Sequence, residues 1–204
     1  MLVSSLECSG LKLEPRNSKL ILASASPRRA ELLRNAGIGF VVRPADIPEQ
    51  RQDSEPPREY ALRLARDKAR AVAAAEPGAF ILGADTIVCA DEHVLEKPTD
   101  AADAARMLRL LSGRTHQVTT AVCLLGPGVE ETATETTEVV MTAISDPEIQ
   151  AYVATGEPMD KAGAYAIQGQ ASRWVKRIDG CYFNVVGLPV PLVYRMLRKH
   201  GLAG

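Results

Sequence analysis

Aromatic residues make up only 4% of this 204-residue sequence, and neither sign of charge dominates: 24 Lys and Arg stand against 25 Asp and Glu, a net charge of −1. Without a basic field, binding of nucleic acid through bulk electrostatics is not expected. No apolar run reaches the roughly 18 residues of a membrane span. The N-terminus lacks a basic stretch followed by an apolar core, so no secretory signal is read there. Cysteines are few: Cys8, Cys89, Cys123 and Cys181 stand far apart with no CxxC pair. That spacing argues against a zinc site or a disulfide framework and fits reduced thiols in the cytoplasm. The familiar phosphate signatures are missing too, with no GxxxxGK[ST] and no strand-linked GxGxxG. His93, His116 and His200 form no HExxH, and no Ser-His-Asp set stands out. No repeat, low-complexity tract or long linker divides the chain.

Hydrophobic residues are plentiful at 46%, enough for a sizeable core in one α/β unit. Residues 1–18 carry no sustained period and read as a loose extension; 19–204 read as one domain. Leu20 to Ala23 is a short buried strand, and Ser26-Pro27 starts a helix that stops at Gly37. A polar stretch from Arg43 to Pro57 leads into a second helix reaching about Ala75. Phe80 to Val88 reads as another buried strand, and Pro98-Thr99 opens a third helix ending at Gly113. Val118–Leu125 and Thr134–Ile144 read as strands of a hairpin around Gly126-Pro127-Gly128. Ser145-Asp146-Pro147-Glu148 has the form of a capping box for a fourth helix, and Gly156 to Gly169 reads as a loop. Arg173–Ile178 and Tyr182–Val186 flank Asp179-Gly180, a strong hairpin signal, and Pro189 opens a last helix ending at Gly201. The expected architecture is a mixed twisted sheet with flanking helices, in two lobes around a deep cleft.

Four places break local rules, as functional sites tend to. Arg28 and Arg29 occupy the first turn of a helix, where the dipole disfavours cations; a bound anion would reverse the sign, with Ser24 and Ser26 adding hydroxyls. The bland reading turns both arginines to solvent or to carboxylates. Asp85-Thr86 lies inside an apolar strand, where a carboxylate must be paired, metal-bound or protonated; such a group suits a general base or metal ligand, and the alternative is an edge strand facing water. Lys68 sits four residues from both Leu64 and Val72, on the apolar stripe of its helix. It either snorkels to a surface or serves a cleft that holds phosphate. The Gly-rich stretch 156–169 offers Lys161, Tyr165 and Gln168 as donors for a polar ligand, and Glu96-Lys97-Pro98 adds a cation before a helix. Basic groups around an embedded carboxylate point to metal-assisted phosphate chemistry.

Ser24-Ala25-Ser26-Pro27-Arg28-Arg29, Gly83-Ala84-Asp85-Thr86, Glu96-Lys97-Pro98, Asp160-Lys161-Ala162-Gly163-Ala164-Tyr165 with Ile167-Gln168-Gly169, and Asn184-Val185-Val186-Gly187-Leu188-Pro189 resemble, in order, the successive motifs of the Maf proteins from about Lys19 to His200. The resemblance implies a nucleoside triphosphate pyrophosphatase, a hydrolase of the α–β phosphoanhydride bond that uses a divalent metal, Mg or Mn. It implies a fold similar to the inosine triphosphate pyrophosphatases and a homodimer. The form of the Asp160–Gly169 segment resembles the branch acting on dTTP and UTP. By position, Asp85 matches the family's proton acceptor, while Arg28, Thr86 and Gln168 match positions tied to substrate specificity. Ser24, Arg29, Lys68 and Lys97 match phosphate-binding cleft positions; Glu49 and Lys161 are further candidates, and Asp85 with Glu49 would hold the metal. Asp46 competes with Glu49 for that place. The Gln168 amide suits the imide edge of thymine or uracil, with backbone groups at Gly163 and Gly169 completing the pocket. Two alternatives stand beside this reading: the same reaction on modified or 7-methylguanosine nucleotides, and a non-catalytic nucleotide-binding regulator of cell division.

Overall fold

The computed structural model describes residues 19–203; the extension expected at 1–18 lies outside them. In chain order the elements are β1 (Leu20–Leu22), α1 (Pro27–Asn35), β2 (Val41–Val42), α2 (Pro57–Ala73), β3 (Phe80–Ala90), β4 (His93–Leu95), α3 (Ala101–Leu111), β5 (Thr115–Gly126), β6 (Val129–Met141), α4 (Asp146–Ala154), β7 (Val175–Asp179), α5 (Tyr182–Val186) and α6 (Val190–Lys199). Short 3-10 turns fill 157–160, 162–164 and 170–174. Among the described residues, no helix is long and apolar enough to cross a membrane.

The strands form one seven-stranded mixed sheet in the order β2-β1-β3-β5-β6-β7, with β4 also paired to β3. The β2–β1 and β1–β3 pairs are parallel, and the others are antiparallel. Parallel neighbours need a crossover, which α1 and α2 supply; the long β5–β6 hairpin closes through Gly126-Pro127-Gly128 as its turn signal implies. Strand β3 runs through two cores. Phe80, Leu82 and Ala84 pack with β1, α1 and α6 on one face, while Ile81 and Ile87 meet α2 on the other. Its far end, Val88 and Ala90, belongs to a separate core with α3, α4, Tyr152 and Trp174. Asp85 and Thr86 fall between these cores, so the two lobes share a sheet and part at the middle of β3.

Helix α2 reaches β3 because Gly83 has no side chain. A Cβ at Gly83 would overlap the Ala65 carbonyl oxygen and stand 2.9 Å from the Ala69 amide nitrogen. Ala61, Ala65, Lys68 and Ala69 are buried on that helix face, and the small alanines keep the two backbones close. Burial is thus imposed on Lys68, which does not snorkel.

Several local expectations are corrected. The Asp179-Gly180 hairpin does not form: β7 pairs with β6, and Tyr182–Val186 is a helical turn. Buried Asn184 anchors that turn by donating to Val118 O at 2.8 Å and Thr137 Oγ1 at 3.0 Å, and by accepting from Thr120 N at 3.2 Å. These bonds satisfy the segment against the face of β5 and β6, so it has no need of a strand partner. Helix α3 starts later than expected, with Asp100 as its cap accepting from Asp103 N. Ser26 occupies the cap position of α1 but makes no side-chain cap bond; instead its amide donates to Ser24 Oγ at 3.2 Å. Strand β5 extends beyond both of its expected ends, β6 starts earlier, at Val129, and stops earlier, at Met141, and β2 and β4 are not among the expected strands. In α4 the capping box is present, with Ser145 N donating to Glu148 at 2.9 Å.

Gly83→Ala is expected to push α2 off β3 and to lower stability by on the order of 3 kcal/mol, the cost of overpacking against backbone. Urea unfolding measures it, and a midpoint equal to wild type would show that the helix is not held at this distance.

Candidate active site

A cleft of about 420 Å³ opens between the lobes. Most of the residues singled out from the sequence line it: Ser24, Arg28 and Arg29 from the start of α1, Glu49 from the loop before α2, and Lys68 from α2. Asp85 and Thr86 come from β3, Lys97 from the loop before α3, and Lys161 and Gln168 from the 157–169 segment. Asp46 is exposed and does not line it.

At the floor, Lys68 Nζ donates to Asp85 Oδ1 at 2.7 Å and also contacts Glu49 Oε1 at 2.7 Å. Asp85 is 7% exposed, on an interior strand flanked by β1 and β5, so the edge-strand alternative falls away. Burial raises the Asp85 pKa above the ordinary carboxylate range, against the opposing pull of Lys68 and Arg29. For Glu49, partial burial acts upward, but Lys68 and Lys97 outweigh it and hold its pKa low. Lys97 Nζ reaches Glu49 Oε2 at 3.5 Å and is mostly exposed. One buried carboxylate is thus made more basic while its neighbour stays ionised. That divergence is the pattern of a base beside a charge-holding group.

Arg29 departs from its expected freedom. It is buried, and its donors go to Gly187 O (2.8 Å), Ala84 O (2.9 Å), Ser24 Oγ (3.2 Å) and Thr86 Oγ1 (3.0 Å). Of the five N–H groups on a guanidinium, this leaves one. Thr86 Oγ1 is engaged further with Thr120 Oγ1 at 2.9 Å and Gly187 O at 3.3 Å. Arg28 crosses the cleft to Asp160 at 3.3 Å, a partly exposed pair of the kind that is weak in water.

In the 157–169 segment, Lys161 Nζ is committed to Glu157 O and to the Asp160 carboxylate. Tyr165 lines the cleft, but its OH is engaged with His116 Nε2 at 2.8 Å. The amides of Gly163 and Gly169 are not released: they donate to Glu96 O and Ala166 O. Gln168 is exposed at the cleft, and its side chain makes no hydrogen bond among the described residues. Three groups carried no signal in the spacing: Tyr60, whose hydroxyl donates to cleft-lining Glu96, Asn184, and Glu157, discussed below.

No group of three or more His, Cys, Asp or Glu side chains is gathered for a metal among the described residues. Two carboxylates, Asp85 and Glu49, facing the cleft do suit Mg2+ or Mn2+, which commonly take one or two protein carboxylates and complete their shell with substrate phosphates.

The description "Maf-like protein" matches residues 19–200. The chain belongs to that family. It is 66% identical over 183 residues to a dTTP/UTP pyrophosphatase of Koribacter versatilis, covering 90% of this chain and 95% of that one. It is 51% identical over 189 residues to a dTTP/UTP pyrophosphatase of Geobacter metallireducens, covering 92% and 98%. In fold it is similar to the Ham1 protein of Staphylococcus aureus, with a TM-score of 0.51 at 15% identity over 90% of this chain and all of that one. The mixed sheet with flanking helices expected from the sequence is therefore both present and shared with a solved structure. Five short motifs scattered between Ser24 and Pro189 of a Maf-like chain meet at one cleft because they lie in the middle of β3, at helix starts and in loops around a single sheet.

Lys68→Met leaves Asp85 without its cation in a buried site. Stability should fall by about 3–5 kcal/mol, the cost of orphaning one member of a buried pair. A loss below about 1 kcal/mol in urea unfolding, the range of a surface pair, would contradict the buried geometry.

Proposed function

We propose that this chain hydrolyses dTTP and UTP between the α- and β-phosphates, releasing the monophosphate and pyrophosphate. One observation carries the reading: a buried carboxylate of raised basicity, Asp85, held by Lys68 at the floor of a cleft whose rim carries Arg28 and Lys97. The relatives' names supply the substrate. The segment 19–204 acts as one catalytic domain.

Asp85 takes the proton of the attacking water, its raised pKa placing it nearer the operating pH than an exposed carboxylate. Lys68 fixes the carboxylate and balances its charge. Arg28 releases Asp160 to meet the triphosphate, and Lys97 adds a flexible cation. Arg29 braces Ser24, Thr86 and Gly187, keeping its last N–H for phosphate. Asp85 and Glu49 would hold Mg2+ or Mn2+, which when bound shares the negative charge of the phosphates. Gln168 offers one acceptor and one donor to the imide edge of thymine or uracil; cytosine mismatches both, leaving groups unpaired at about 1–3 kcal/mol each. Neither the 5-methyl group nor the 2′-hydroxyl enters this contact, so both nucleotides are accepted. The enzyme acts in the cytoplasm, in keeping with free thiols at Cys89, Cys123 and Cys181. It acts without nucleic-acid or membrane partners and as a homodimer, for which exposed Tyr182, Phe183 and Tyr194 offer an apolar surface.

A panel of nucleoside triphosphates with Mg2+ or Mn2+ tests the reaction. UTP should give UMP and pyrophosphate, dTTP should match it, and EDTA should abolish both. Release of UDP and orthophosphate would overturn the bond assignment, and preference for 7-methyl-GTP or CTP would overturn the substrate.

Asp85→Asn keeps the shape and removes the base. Turnover of UTP should drop by at least about a hundredfold, the usual contribution of a general base, with the circular dichroism spectrum unchanged. Near-normal turnover would remove Asp85 from the chemistry.

A further inference from the structure

The Gln168 amide has no side-chain partner among the described residues, so its aim depends on the backbone that carries it. Besides its own turn bond from Gly169 N to Ala166 O, that backbone is tied from outside the cleft by one carboxylate. Glu157 Oε1 accepts from Tyr152 OH at 2.8 Å and from Gln170 N at 3.1 Å. Tyr152 OH in turn accepts from Ala166 N at 3.3 Å. The pair Tyr152–Glu157 therefore grips the chain two residues before and two residues after Gln168.

The grip is rigid at its base. Tyr152 is fully buried and packs edge-on against Trp174, with ring centroids 5.3 Å apart. Burial, and then the bond to Glu157, hold its phenol above the ordinary range, so it remains a donor. The carboxylate also presses directly on the loop. A Cβ at Gly169 would overlap Glu157 Oε1 and stand 2.6 Å from Glu157 Cδ. A side chain at 169 would force the Glu157 carboxylate out of its present place. Glu157 itself does not line the cleft, so it touches neither nucleotide nor reacting atoms.

We propose that Glu157 is a positioning residue for base selectivity: through Gln170 N and Tyr152 it sets the 166–170 backbone so that the Gln168 amide meets the pyrimidine imide edge. The proposal rests on the reading that the chain acts on dTTP and UTP with Gln168 at the base. It also explains why the tie that holds this loop together is not Gln168 itself, which leaves the amide available for ligand.

Steady-state kinetics on UTP and CTP test it in wild type, Glu157→Ala, Glu157→Gln, Tyr152→Phe and the double variant Glu157→Ala/Gln168→Ala. Glu157→Ala should lower the UTP-to-CTP ratio of kcat/KM at least about tenfold, chiefly through the KM for UTP, with kcat within about threefold because the Lys68–Asp85–Glu49 group is untouched. Glu157→Gln keeps an acceptor of the same shape and should retain most of the ratio. The double variant should be no less selective than Glu157→Ala alone, since the two residues act as one unit. An unchanged ratio in Glu157→Ala, whether activity is full or uniformly reduced, would make Glu157 merely structural and overturn the proposal. If Glu157→Ala does not fold, Tyr152→Phe decides: it should show a loss of selectivity in the same direction, and an unchanged ratio overturns the proposal. The wild-type ratio judges the underlying reading separately. Absence of preference for UTP over CTP in wild type would refute the role of Gln168 and the proposal with it.

Discussion

The buried pair of Lys68 and Asp85 is the contact on which the rest of the cleft depends. Either charge alone in that position would carry a desolvation cost of several kcal/mol, and neither would remain ionised. Placed 2.7 Å apart, they sustain each other and give the cleft a fixed floor. The pair exists because α2 lies almost on the backbone of β3, and α2 lies there because residue 83 is glycine and the facing helix residues are alanines. A backbone clearance thus determines an electrostatic state: burial raises the basicity of Asp85, and Lys68 limits the rise.

Around this floor the polar groups divide by how far they are committed. Arg29, Thr86, Ser24 and Asn184 spend their hydrogen bonds on the protein and form a continuous scaffold from α1 through β3 and β5 to α5. Buried networks of this kind are costly when incomplete and stiff when satisfied. Arg28, Lys97 and Gln168 stand at the rim with weak partners or none among the described residues. The rim is where a triphosphate and its base would be met, and ligand contacts there displace only exposed, low-value pairs. Rigid placement below and exchangeable contacts above are what a site needs in order to bind, react and release.

Some of this was legible in the residues. Asp85 and Lys68 stood out because each put a charge on an apolar stripe, a conflict that folding resolves only by pairing. The capping box at Ser145 and the Gly-Pro-Gly turn worked as local chemistry requires. Tyr182–Val186 has the apolar pattern of a strand, but the hydrogen bonds of buried Asn184 to β5 and to Thr137 of β6 make it a helical turn. Spacing puts Arg29 at a helix start and leaves its donors free, whereas four acceptors from three separate segments claim them in the fold. Glu157 sat in plain view in the loop, but its role depends on Tyr152 and Gln170, which only the folded chain brings to one carboxylate.

The sequence by itself determined the α/β class, the order of most elements and the set of residues that break local rules, because periodicity, caps and misplaced charges are properties of neighbouring positions. It also carried the family resemblance, since motif order is a linear property. Tertiary structure alone decided which charges pair, which donors remain for a ligand, and which carboxylate stays basic. Those outcomes depend on distances of about 3 Å between residues tens of positions apart, and on burial, which no single stretch of chain controls.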